Sequence, residues 1–129
     1  RGLMVPVIKE ADRLNIVELA KAVDEITSRT KENKVELSEL RGGSFTITNY
    51  GSIGGYFGIP IINYPESAIL GLGRAVKKPI IKDDEIAIGL IMPLSLSYDH
   101  RIIDGASGAR FLNLVKELLA NPEMLLLKS

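Results

Sequence analysis

The stretch Ser97-Tyr98-Asp99-His100-Arg101-Ile102-Ile103-Asp104-Gly105 carries the single histidine of the chain, with one carboxylate beside it and another four residues on, in a turn-forming Asp-Gly pair. An imidazole exchanges its proton near neutral pH, so His100 is the natural base for activating a thiol. Asp104 has two readings. A tight turn brings its carboxylate back to orient the imidazole, or it caps a helix beginning near Ala106. Asp99 and Arg101 are read as structural salt-bridge partners, with neighbours or with another chain, and not as catalytic groups. The sequence has no cysteine. Disulfides, cysteine-ligated zinc and a cysteinyl acyl-enzyme are therefore excluded, and any reacting thiol belongs to a substrate.

Several elements are needed to position that histidine. Residues 94–98 alternate apolar and polar, which predicts a strand delivering His100 at its end. Residues 106–120 place Ala109, Phe111, Leu112, Val115, Leu118 and Leu119 on one helical stripe, and Asn121-Pro122 stops the helix. Upstream, residues 3–8 read as a strand, with Pro6 putting it at an edge or bulge. Asn15, with Glu18 three residues on, predicts an N-cap for an amphipathic helix from Ile16 to about Lys31, followed by a solvent-facing segment over 30–34. Residues 44–50 are β-branched and aromatic in alternation and predict a strand running into the Gly-rich loop 51–55, which lacks the spacing of a phosphate-binding loop. An extended 60–65 leads to a strand over 67–73. A turn over 82–85 then joins residues 80–81 to a long strand over 86–92. This order favours an α+β sheet with helices on one face.

The 129 residues suit one domain, with 46% hydrophobic and 25% charged residues. Lys plus Arg equals Asp plus Glu at 16 each, which argues against a nucleic-acid or anionic-membrane partner. The most apolar stretch, 86–96, is too short to span a bilayer and no signal peptide opens the chain, so a soluble intracellular protein is expected.

Two motifs together resemble the dihydrolipoyl acyltransferases, the core enzymes of 2-oxo acid dehydrogenase complexes. Their active-site pattern Asp-His-Arg-x-x-Asp-Gly is met by Asp99, His100, Arg101, Asp104 and Gly105. Residues 42–51 reproduce their Gly-Gly-x-Phe-Thr-Ile-Ser/Thr-Asn-x-Gly stretch, and further agreement at 1–8, 60–63, 67–71 and 121–127 carries the likeness over essentially the whole chain. The resemblance implies a chloramphenicol-acetyltransferase-like two-layer α+β fold with a mixed sheet, here only its C-terminal portion. Family catalytic domains are nearly twice this long, so residues 1–129 read as the C-terminal part, with an exposed apolar edge at 3–8 and a tendency to self-associate.

The same resemblance implies roles. His100 would be the general base, Thr48 the hydroxyl donating to the oxyanion and Asp104 the assisting carboxylate. Asn49, Ser52, Gly73 and Ala75 would line the coenzyme A channel. The implied reaction is direct attack of the coenzyme A thiol on an acyl-dihydrolipoamide, acetyl or branched-chain, with the lipoyl group on a separate domain and no metal. Homotrimers would build a cubic or dodecahedral core, His100 of one subunit facing Thr48 of the next. Partners would be the lipoyl domain, the 2-oxo acid decarboxylase and dihydrolipoamide dehydrogenase. The location would be the cytoplasm, or the mitochondrial matrix in a eukaryote. Two rivals are a chloramphenicol acetyltransferase, in which a second histidine usually stands where Asp99 does, and a non-catalytic core protein, which tends to lose the histidine.

Overall fold

The computed structural model describes residues 3–128. They divide into two compact units, one made of residues 3–44 and 110–128, the other of residues 45–109.

In the first unit the predicted N-cap forms. The Asn15 side chain accepts from the Glu18 amide and Glu18 accepts from the Asn15 amide, at 2.8 and 2.9 Å, and this reciprocal box starts helix α1, Ile16–Lys31. Arg29 on its last turn donates to both oxygens of Glu39, at 2.9 and 2.6 Å, and to Glu25 at 2.7 Å. Those bonds and the Glu36 amide hold the Glu39 carboxyl down at about 2. Residues 3–8 are not a strand. A strand exists only when another segment takes its ladder bonds, and in this segment the Val7 amide reaches Glu39 O at 2.7 Å across an irregular stretch. Helix α2, Gly105–Ala120, begins within the second unit's residues and continues into those of the first, ending where Asn121-Pro122 was expected to stop it, but the chain restarts as α3, Pro122–Lys128, with proline in the first helical position that tolerates it. A short 3₁₀ turn over Leu37–Leu40 was not foreseen.

The second unit contains two sheets. Strands β1, Thr46–Asn49, β2, Ala68–Leu72, and the antiparallel β5, Leu94–Tyr98, form a mixed sheet in the order β1-β2-β5. Its central strand supplies the buried Ala68, Ile69 and Leu70. The pairing Thr48↔Gly71↔Ser95 makes one row across all three strands, so their α-carbon substituents share a face. Strands β3, Val76–Lys82, and β4, Glu85–Ile91, form a separate hairpin. Its two turn residues, Asp83 and Asp84, sit at φ 53° and 63°, the left-handed pair that a tight hairpin needs. The architecture is α+β, as the residue pattern predicted. Exposed apolar surface is found at 3–8 as expected, with Leu3 93% and Val5 42% exposed, and it also lies on this hairpin, where Ile81, Ile86, Ile88 and Leu90 alternate onto one face and are 70 to 80% exposed.

Candidate active site

His100 sits just past β5 in a turn anchored to β2 at one point and otherwise by local bonds. The Asp99 amide continues the sheet ladder to Ser67 O at 2.8 Å, and the Asp99 carbonyl accepts from Ile102 and Ile103 at 3.0 and 2.9 Å. The Asp99 carboxylate accepts from the Arg101 amide, Nε and a guanidinium Nη, at 3.0, 2.9 and 2.8 Å, which holds its carboxyl below the usual carboxylate range. The pair is structural, as read from the sequence, and each residue binds the other. With its neighbours so engaged, the histidine between them is left exposed at the tip, its ring 5.8 Å from that of Tyr98.

Both readings of Asp104 meet the structure at α2. Its carboxylate accepts from the Ser107 amide at 2.7 Å, and its carbonyl accepts from the Gly108 amide at 3.1 Å, so Asp104 is the N-cap of the helix. Its carboxyl is held below the ordinary aspartate value, first by the Ser107 backbone and then by the Ser107 side chain, with the charge of His100 a smaller contribution. Helix α2 can start here because Gly108 admits the Tyr98 ring: a β-carbon at 108 would lie 2.8 Å from Tyr98 Cε1.

Thr48 is half-buried on β1, on the same face as Thr46, whose hydroxyl donates to Glu66 at 2.5 Å. The next residues form a tied loop and not a loose one. The Ser52 amide donates to Asn49 Oδ1 and the Ser52 hydroxyl to Asn49 O, both at 3.2 Å, while the Gly55 amide returns to Tyr50 O at 3.0 Å and the Arg74 amide to Gly55 O at 2.8 Å. Asn49, Ser52 and Ala75 are exposed. Gly73 is buried, its amide donating to Pro93 O at 2.9 Å and its α-carbon so close to the loop that a β-carbon would lie 2.1 Å from Tyr56 O.

The sheet therefore brings Thr48, Asn49, Ser52 and Gly73 to one end and His100 with Asp104 to the other. Ser95 shares the row of Thr48, and His100 lies five residues further along the chain, past the end of β5 at Tyr98. At about 3.3 Å per residue from Ser95 to Tyr98 and about 4.8 Å for each strand spacing, Thr48 stands roughly 14 Å from Tyr98, with His100 beyond it. A proton transfer needs roughly 3 Å. The hydrogen bond between Tyr50 and Ser95 was not foreseen in the sequence, although an aromatic residue beside a run of glycines at 51, 54, 55 and 58 is a signal that singles out Tyr50. Among the described residues no three His, Cys, Asp or Glu side chains converge as metal ligands, and no helix is long and apolar enough to cross a membrane.

Residues 1–127 match the family of 2-oxoacid dehydrogenases acyltransferase catalytic domains. The dihydrolipoyllysine-residue acetyltransferase component of the pyruvate dehydrogenase complex from Acholeplasma laidlawii is 56% identical over 126 residues, covering 98% of this chain and 23% of that protein. Among solved structures, the cubic core of the pyruvate dehydrogenase multienzyme complex superposes with a TM-score of 0.89 at 40% identity. The Azotobacter vinelandii dihydrolipoamide acetyltransferase, solved to probe a serine, a histidine and an asparagine in its catalytic mechanism, gives 0.88 at 41%. Each alignment covers 97% of this chain and 51% of the solved one, so the chain spans about half their length.

Proposed function

The chain belongs to the 2-oxoacid dehydrogenase acyltransferase family, and on that premise we propose that it is the C-terminal part of a catalytic domain that moves an acetyl group between dihydrolipoamide and coenzyme A. The observation that carries this reading is the His100 turn. Asp99, Arg101 and Asp104 are all committed to holding the loop, and the imidazole alone is left open to a substrate.

His100 takes the proton of the coenzyme A thiol. A free thiol with a pKa near ~8.5 is mostly protonated at neutral pH, so this step supplies the nucleophile. The sulfur forms a bond to the acyl carbonyl carbon, and Thr48 donates to the oxygen on which negative charge gathers, a contribution of roughly 3–4 kcal/mol where such a donor is preorganised. When that oxygen regains its double bond, the bond from carbon to the dihydrolipoamide sulfur breaks, and His100 returns its proton to the leaving thiolate. Asp104 holds the end of the histidine loop, its negative charge facing a ring that becomes positive during the transfer. Asn49 and Ser52, exposed beside Thr48, with Gly73 and Ala75 following β2, are the proposed coenzyme A contacts. The donor set suits a thiol substrate: one exposed imidazole, one half-buried hydroxyl and neutral amide and hydroxyl groups.

The separation of Thr48 from His100 in one chain supports a site completed by a second copy, and with it a homotrimer that builds a larger core. The lipoyl domain, the decarboxylase and dihydrolipoamide dehydrogenase are its proposed partners, and the bacterial cytoplasm its proposed location. The test is complementation in the full-length enzyme. Two inactive variants, His100→Ala and Thr48→Ala, are assembled separately and then mixed within one core. If the site lies between copies, some interfaces regain both groups and acetyl transfer returns. If it lies within one copy, the mixture stays as inactive as its parents.

A further inference from the structure

The Tyr50 side chain occupies a slot made of glycines. Its ring leans back from the end of β1 over Gly71 of β2, where a β-carbon would lie 2.7 Å from Cε2 and 3.1 Å from the hydroxyl. A β-carbon at Gly58 would lie 2.9 Å from Cζ. The hydroxyl donates to Ser95 Oγ at 3.2 Å and stands 3.5 Å from Gly58 O, and the Tyr50 amide donates to Leu72 O at 3.1 Å. One residue thus joins all three strands of the sheet to the loop that follows Thr48.

The placement of the ring follows from register. Thr48, Gly71 and Ser95 form one row on one face. Thr48 and Ser95 flank Gly71, which stands one strand spacing of about 4.8 Å from Thr48, and the Tyr50 ring lies in the space that this glycine leaves. An apolar ring beside that row would wall off one side of the Thr48 hydroxyl and leave it fewer directions in which to donate.

We propose that Tyr50 is a positioning residue for Thr48: held between Gly71 and Gly58 and tethered to Ser95, its ring fixes the direction of the Thr48 hydroxyl. The proposal rests on the reading of Thr48 as the oxyanion donor. Small misplacements of a reacting group cost up to about 100-fold in rate, so the effect belongs in kcat more than in the KM for coenzyme A.

The test is a double-mutant cycle in the full-length assembled enzyme. Tyr50→Ala lowers kcat roughly tenfold or more with the core intact, whereas Tyr50→Phe, which keeps the ring, stays within about threefold of wild type. Because Tyr50 acts through Thr48, the variant lacking both side chains turns over no more slowly than Thr48→Ala alone. Additive losses, or a Tyr50→Ala enzyme with wild-type kcat, overturn the proposal. Should Tyr50→Ala not assemble, Tyr50→Leu, which keeps apolar bulk without the reach to Ser95, takes its place in the cycle. A Thr48→Ala enzyme with undiminished kcat would instead bring down the role of Thr48 itself, a failure read from a different variant.

Discussion

The two ends of the three-stranded sheet are built by different physics. At the His100 end, polar bonds do the holding: Asp99 grips Arg101, Asp104 caps α2 and the backbone of 99–103 closes on itself. At the Thr48 end, close packing does it. Glycines at 51, 58, 71 and 73 let loop and strand approach to distances that any side chain would forbid, with Tyr50 wedged between them. The first arrangement leaves His100 exposed, as suits the proposed role of a group that must meet another molecule. The second half-buries Thr48, as suits the proposed role of a hydroxyl that must point one way.

The predictions probe this contrast, beginning with the largest effect. Removing the imidazole by His100→Ala, with assembly unchanged, lowers acetyl transfer about 10²–10⁴-fold. Near-normal turnover would leave the polar end with no chemistry to support. Thr48→Ala lowers kcat about 10²–10³-fold with little change in the KM for coenzyme A, and Thr48→Ser keeps most of it, because only the hydroxyl matters. A loss confined to KM would make Thr48 a binding group. Gly71→Ala forces the Tyr50 ring out of its slot and costs about 1–3 kcal/mol of stability in denaturant unfolding, the usual penalty for overpacking. An unchanged midpoint would mean that the loop yields freely and the packed end is soft.

Two smaller effects separate the ends further. Asp104→Ala lowers the melting temperature by removing the cap, while Asp104→Asn keeps it, since asparagine caps as well as aspartate. If Asp104→Asn melts normally yet loses activity, the charge acts on His100 in addition to the cap acting on the helix. Acid should also loosen only one end. The Asp104 carboxyl is held below its ordinary value, so its contribution is complete above that value and is lost as the pH falls through the depressed one. Amide exchange, corrected for its intrinsic pH dependence, should rise at 106–108 in that window and stay flat at Gly55 and Arg74, whose bonds involve no acidic group. Parallel loosening of both ends would dissolve the distinction.

Much of this was legible because it is local. The Asn15 and Glu18 box, the Asp83-Asp84 turn, the alternation ending at Tyr98 and the His100 motif each express themselves within a few residues, where caps, turns and periodicity act. Where the reading of residues 3–8 went astray, the pattern was right for a strand, but a strand is a property of two segments and a pattern describes one.

Residue types and short spacings alone pointed to the α+β class, to the helix limits near 16–31 and 106–120 and to His100 as a group that could take a proton, whereas the family, and with it the oxyanion role proposed for Thr48, came from resemblance to known motifs. Tertiary structure alone decided that Asp104 caps α2, that Tyr50 fills the space over Gly71, and that Thr48 and His100 lie at opposite ends of one sheet. The cap is local, and the structure chose it between two readings; the other two depend on register between strands far apart in sequence, where a shift of one residue would turn every side chain to the other face. No local propensity encodes that register, because it is set by what packs against what.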